Sequence, residues 1–159
     1  MILVLFIQGL FFFSENFIVF LAADVFNPPI LLSGKNDRGQ LGIGSNVNQN
    51  VPVAVLISGA LNTKTIKYIS AGFDNVVAVD SDGIAYSWGD NINGDAGQNS
   101  ATSYFDAPGQ VFATDYLVGQ RIVMVSSGGS FTLALNNKGR VFGWGLNRDG
   151  IFFPFLFLF

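Results

Sequence analysis

Asp90-Asn91-Ile92-Asn93-Gly94-Asp95 crowds four oxygen-bearing side chains into six residues, and the chemistry it could do is calcium binding. An EF-hand loop needs a ligand where Ile92 stands and sets its glycine out of step with Gly94, so the spacing suits a turn better than a metal site. Gly42-Ile43-Gly44 is the nearest approach to a nucleotide loop. It lacks the third glycine and the strand-to-helix context of a dinucleotide fingerprint, and no Gly-x-x-x-x-Gly-Lys-Ser/Thr occurs. The chain has no histidine and no cysteine, which excludes Ser-His-Asp and Cys-His catalysis, His-ligated zinc and disulfides within it. No catalytic, cofactor-binding or metal-binding residue is assigned from the sequence.

The same asparagines and glycines gain a different meaning from their recurrence. Trp88-Gly89-Asp90-Asn91-Ile92-Asn93-Gly94 returns further along the chain as Trp144-Gly145-Leu146-Asn147-Arg148-Asp149-Gly150. At almost the same interval before the first copy stands a degraded one, Ser33-Gly34-Lys35-Asn36-Asp37-Arg38-Gly39. Sliding Lys67–Gly94 onto Val123–Gly150 gives 8 identities in 28 positions, among them Gly72 on Gly128 and Gly83 on Gly139. A fixed period of this length marks one supersecondary unit that stacks on copies of itself.

Each unit reads as short strands. Val76–Val79 is a β-branched run, Asp80-Ser81-Asp82-Gly83 is a turn, and Ile84–Trp88 is a second run; Phe131–Leu135, Asn136–Gly139 and Arg140–Trp144 repeat the plan. Asp-Gly between two such runs is a strong hairpin signal, because the turn needs positive φ and glycine supplies it. Gly72 and Gly128 precede the first run of each copy, where a tight bend or close backbone approach needs glycine. Short strands in regular copies, with no helical periodicity between them, predict an all-β chain of four-stranded antiparallel propeller blades.

Gly34-Lys35-Asn36-Asp37-Arg38-Gly39-Gln40-Leu41-Gly42-Ile43-Gly44 is nearly the full phrase of a known repeat, and the stretch Gly34–Gly150 resembles the regulator of chromosome condensation family. Pro52 and Pro108, separated by the interval that separates the two tryptophans, fall where that family tends to place a proline. The resemblance implies the blades of a seven-bladed β-propeller, a superfamily shared with a bacterial β-lactamase inhibitor. About two blades are present, so an incomplete propeller is expected. The histidine usual after the repeat's glycine is missing, with Asn75 and Phe131 in the aligned places.

The ends differ in composition from the repeats. All eight Lys and Arg lie between Lys35 and Arg148, whereas residues 1–33 are a hydrophobic segment and residues 151–159 a Phe-rich tail. Four readings of the N-terminal segment stay open: non-coding sequence joined to the repeats in a gene model, a signal peptide cleaved near Leu21-Ala22-Ala23, a membrane anchor, and authentic buried strands. Glu15 and Asn16 interrupt any membrane helix, and a signal peptide's basic region is absent. The domain organisation expected is therefore 1–33, 34–150 and 151–159. A cytoplasmic location is favoured, with membrane association or secretion if residues 1–23 are authentic.

The formal charge is −3, and between Gly34 and Gly150 eight cations meet nine carboxylates. A near-neutral array without a basic stripe gives no electrostatic reason to bind nucleic acid. The expected function is a non-catalytic protein-interaction module. The alternatives are part of a guanine-nucleotide exchange factor for a Ran-like GTPase, which the family resemblance implies, or a membrane-tethered or secreted repeat protein; the resemblance also implies a small GTPase or a ubiquitin-pathway assembly as partner. Trp88 and Trp144 read as packing between blades rather than an exposed aromatic platform. The unrepeated loop Asn99–Asp106 offers Tyr104 and Phe105 as a partner contact, against the competing reading of a connector that packs locally.

Overall fold

The computed structural model describes residues 11–13, 17–21, 29–112, 117–148 and 150. Within these, the chain is all-β. Strands β1 (Phe11–Phe13), β2 (Phe17–Leu21), β3 (Ile30–Gly34) and β4 (Gln49–Ala54) form a first sheet, with each strand antiparallel to the next. A second sheet repeats the meander with β5 (Ile66–Ala71), β6 (Asn75–Asp80), β7 (Ala85–Asp90) and β8 (Tyr104–Gln110). In the third sheet, β9 (Ile122–Ser127), β10 (Phe131–Asn136) and β11 (Val141–Gly145) are paired in that order.

The hydrophobic N-terminal segment supplies the first two strands. Five positions of β2 pair with β3, from Phe17 opposite Gly34 to Leu21 opposite Ile30, so the expected boundary after residue 33 falls inside a paired strand. Residues 11–13 and 17–21 are extended, and the signal-peptide and anchor readings find no support in them. No helix among the described residues is long and apolar enough to cross a membrane. The readings of residues 1–10, 14–16 and 22–28 and of the tail 151–159 lie outside the described residues.

Two cores lie between the three sheets, and β6 divides its side chains between them. Val76 and Ala78 join Ile30, Leu32, Leu41, Ile69, Tyr86 and Trp88 in the core between the first and second sheets. Val77 and Val79 join Ala85, Val111, Ile122, Val125 and Ala134 between the second and third. The strand period of two sends alternate residues to opposite faces, so a strand buried on both faces must be apolar without alternation. Each buried Val contributes about 1.5–3 kcal/mol by transfer from water. The outer strands β4 and β8 carry Pro52 and Pro108, as edge positions allow.

A chain that starts at Ile30 should expose the edge of β3 that β2 now covers. The expected outcome is more self-association in sedimentation velocity, and a lower, broader melt than the full chain gives. A monomer that melts as cooperatively as the full chain would contradict the pairing of β2 with β3.

Candidate functional site

The repeated residues converge on the joints between sheets. After β3, the fully buried Asn36 donates from Nδ2 to the carbonyls of Ser45 (2.8 Å) and Val47 (3.1 Å), and its Oδ1 accepts from Leu41 N (2.8 Å). After β7, Asn91 does the same with Ser100 O (3.0 Å), Thr102 O (2.8 Å) and Ala96 N (3.2 Å). One amide therefore fixes a whole loop by using both its donor and its acceptor sides. Gly39 and Gly94 close the turn with N–H bonds to Asn36 O and Asn91 O at φ 71° and 79°. Gly150 N bonds to Asn147 O in the same way.

Each such loop receives a tryptophan from the next sheet. Trp88, which has no exposed surface, donates from Nε1 to Gln40 O at 3.0 Å, and Trp144 donates to Asp95 O at 2.9 Å. The indoles lie against Gly42 and Gly97. A Cβ at either glycine would stand 2.7 Å from the indole nitrogen, so the close approach excludes any side chain there. Gly89 and Gly145, just after the tryptophans, let the following N–H reach back to the neighbouring loop, through Asp90 N to Asp74 O and Leu146 N to Ser130 O.

A second recurrent pin holds the hairpins. Asp80 Oδ1 accepts from Asp82 N and Ile84 N, both at 2.9 Å, and Asn136 Oδ1 accepts from Lys138 N (2.9 Å) and Arg140 N (2.8 Å). Asp80 uses its other oxygen for the buried Tyr86 hydroxyl at 2.9 Å, whereas Asn136 donates to Gln120 Oε1 at 2.8 Å. Burial and the Asp80 carboxylate push the Tyr86 phenol well above its ordinary value, keeping it a donor. Arg121 crosses between sheets to hold the carbonyls of Ser81 (2.7 Å) and Asp82 (3.0 Å).

The two joints differ in charge. Between the first and second sheets, Asp74 accepts from Gln40 Nε2 (2.8 Å) and Lys35 Nζ (3.2 Å), while Arg38 lies 3.8 Å from Asp90. At the next joint Asp95 takes the place of Gln40. It is 1% exposed, and its Oδ1 has no hydrogen-bond partner among the described residues. Burial, then the Asp90 charge and a hydrogen bond with Asp90, push the Asp95 carboxyl up to about 7. Asp90 is also raised by burial, with Arg38 opposing. No group of three or more metal-ligating side chains of the His, Cys, Asp and Glu types occurs among the described residues.

The structure thus gathers Gly34, Asn36, Gly39, Gly89, Asn91, Gly94, Trp88, Gly145 and Trp144 along the two joints, while Asn147 and Gly150 form the equivalent turn after β11. Gly83 and Gly139 sit in the hairpin turns at φ 83° and 78°. Gly72 and Gly128 each bond back across a bend, to Asn75 O and Phe131 O. Tyr104 and Phe105 lie not in a loop but at the start of β8, paired with Asp90 and Gly89, and Phe105 packs against the first core. Sequence reasoning missed Asp80, Asn136, Gln40 and Asp95 as fixed positions. Asp80 precedes Asn136, and Gln40 precedes Asp95, by nearly the interval that separates the two tryptophans, and that spacing was the available signal.

Comparison with known proteins agrees with this geometry. Sequence profiles of the regulator of chromosome condensation (RCC1) repeat match residues 30–79 and 82–135, and a second profile of the same description matches 66–95 and 122–151. The chain belongs to the RCC1 repeat family. It is 34% identical over 122 residues to the human protein "Regulator of chromosome condensation", covering 76% of this chain and 27% of that one. It is 33% identical over 117 residues to the Arabidopsis thaliana "Ultraviolet-B receptor UVR8", covering 74% and 25%. The chain therefore spans about a quarter of the length of these relatives. Human WBSCR16 superposes with a TM-score of 0.73 at 20% identity, covering 87% of this chain and 34% of that one. Yeast RCC1 (Prp20), solved bound to Kap60, gives 0.65 at 20%, covering 84% and 31%. These structures share the propeller fold, here in incomplete form. Residues 30–79 contain the last two strands of the first sheet and the first two of the second, so the repeat and the sheet are out of phase.

Asn91→Ala should lose three hydrogen bonds at once and cost about 3 kcal/mol in chemical denaturation, while the exposed Asn93→Ala should stay within about 0.5 kcal/mol. For Asp95, a folded-state value above the ordinary 3.8 means that the protonated form is favoured by folding. Its contribution is present below pH of about 4 and is lost as pH rises through about 7. Asp95→Asn should flatten that slope and gain about 1 kcal/mol at pH 8, roughly 2–4 °C in Tm at this chain length. Thermal melts at pH 4, 6 and 8 check the sign.

Proposed function

We propose that this chain is a non-catalytic protein-interaction module of RCC1-type repeats. The observation that carries the reading is the commitment of the repeated polar residues to structural bonds. Asn36, Asn91, Asp80 and Asn136 fix loops and hairpins, and the tryptophan N–H groups are committed to carbonyls of the neighbouring loops. No histidine or cysteine supplies a nucleophile or proton shuttle. What remains for recognition is the unrepeated surface, and loops held by a rigid scaffold are where binding concentrates.

A second reading, exchange activity toward a Ran-like GTPase, is favoured by the match to the human regulator and by the solved yeast Prp20p, whose binding to Gsp1p and histones has been studied. Mixing this chain with a Ran-type GTPase loaded with fluorescent GDP discriminates the two. The expected result is nucleotide release at the intrinsic rate, and acceleration would overturn the non-catalytic reading.

Tyr104 and Phe105 separate contact from packing. Phe105→Ala should destabilise by about 2–4 kcal/mol, because it removes an aromatic packed on the first core. Tyr104→Ala should change stability by less than about 1 kcal/mol yet weaken retention of a protein partner. Thermal melting and pull-down with both variants distinguish the two roles.

A further inference from the structure

The turn Asn91–Gly94 holds the one Asn-Gly pair in the sequence, and that pair carries a reaction of its own. Glycine has no side chain to shield its backbone nitrogen, which leaves the nitrogen open to attack the side-chain carbonyl of the preceding asparagine. The Gly94 nitrogen gives its proton to a solvent base and bonds to Asn93 Cγ, and the side-chain amide leaves as ammonia. Water then opens the five-membered imide at one of its two carbonyls. Opening one way gives aspartate. Opening the other way gives isoaspartate, which routes the main chain through one extra carbon.

Position 93 is placed for this chemistry. Asn93 is exposed, whereas Asn36, Asn75, Asn91 and Asn136 are buried with their amides bonded. Aspartate, one of the two products, already stands at this place in the third copy as Asp149. In the first copy the place is taken by Arg38, whose side chain is 41% exposed although β8 crosses that loop, with Gly44 N bonded to Asp106 O. A strand laid over the second loop in the same way would leave position 93 within reach of water.

The same turn restrains the reaction. Gly94 N–H donates to Asn91 O at 3.0 Å, which ties up the proton that must leave and holds the nitrogen in the turn. Asn91 is itself fixed by its side-chain bonds to Ser100 O, Thr102 O and Ala96 N. We propose that Asn93 is this chain's site of spontaneous deamidation, and that the turn pinned by Asn91 sets its rate. Each conversion adds a carboxylate to a loop that already carries Asp90 and Asp95, and the isoaspartate form lengthens the turn that Gly94 closes. The reaction is independent of what the chain binds.

The test is incubation of the full chain at pH 8, with peptide mapping by mass spectrometry and detection of isoaspartate by enzymatic methylation. The peptide Asp-Asn-Ile-Asn-Gly-Asp-Ala is the unrestrained reference. Asn93 is expected to convert before any other asparagine, ahead of the exposed Asn99 that precedes Ser100. Its rate should be about tenfold below that of the peptide, since one turn hydrogen bond must break first. Asn91→Ala should raise the rate in the chain, while Asn36→Ala, which removes the matching bonds at the first joint, should leave it unchanged. Earlier conversion of another asparagine, or none at Asn93 over many peptide half-lives, overturns the site. Conversion at the peptide's rate overturns the restraint, as does an unchanged rate in Asn91→Ala or equal acceleration by Asn36→Ala. The comparison of the unaltered chain with the peptide needs no variant, so it decides the matter even where a variant does not fold.

Discussion

A tryptophan with no exposed surface must find an acceptor for its indole N–H, because an unmade hydrogen bond in the interior costs about 1–3 kcal/mol. Trp88 meets that need outside its own sheet. It takes the carbonyl of Gln40 from the loop of the preceding sheet. Everything else in the repeated phrase follows from presenting that carbonyl. Asn36 holds the loop from both sides of its amide, Gly39 turns it, and Gly42 clears the space in which the indole lies. Trp144 and the loop Asn91–Gly97 solve the same problem with the same parts. The unit is therefore a joint shared by two sheets. This is why the repeat profile straddles the sheets, and why each sheet depends on its neighbour.

The joints share backbone geometry while their charges have diverged. At the first, Lys35, Arg38 and Gln40 face Asp74 and Asp90, so each of these carboxylates meets a donor or a cation. At the second, Asp95 and Asp90 face each other, and Leu146 stands where Lys35 and Asp90 stand in earlier copies. Burial beside Asp90 favours the protonated form of Asp95, whereas Arg38 opposes the same shift at Asp90. The geometric constraint fixes the backbone and the indole contact, which both joints keep. The side chains of Gln40 and Asp95 are less constrained, because each supplies the indole through its main-chain carbonyl.

That distinction also explains what the sequence disclosed. Asn36, Asn91, the tryptophans and the glycines were legible because each is bound to one backbone geometry, and a geometry that recurs leaves a recurring residue. The hairpins were legible because Asp82-Gly83 and Lys138-Gly139 require a particular turn. Strand β8 was not. Its sequence, Tyr-Phe-Asp-Ala-Pro-Gly-Gln, has no clean alternation and contains a proline, so it reads as loop until β7 is seen to leave an edge that tolerates proline. The N-terminal strands were hidden for the opposite reason. Runs of large apolar residues suit a membrane, a signal or a core without a period that separates them, and it is the pairing of Phe17–Leu21 with Ile30–Gly34 that makes the second run a strand.

Function is harder to read than fold here because the repeat uses up its conspicuous residues. Asparagine, aspartate and tryptophan in clustered runs look like ligands or platforms, yet Asp80 and Asn136 occupy equivalent hairpins as an acid and an amide with the same acceptor role. A catalytic or metal-bound carboxylate would not tolerate that exchange, whereas a turn that needs only one oxygen does. The residues free to carry recognition are those that differ between copies and reach the surface, such as the exposed Ile92, whose place Arg148 takes in the next copy. Selection for a partner leaves its trace in those differences, and a repeat protein of this kind states its scaffold in what recurs and its specificity in what does not.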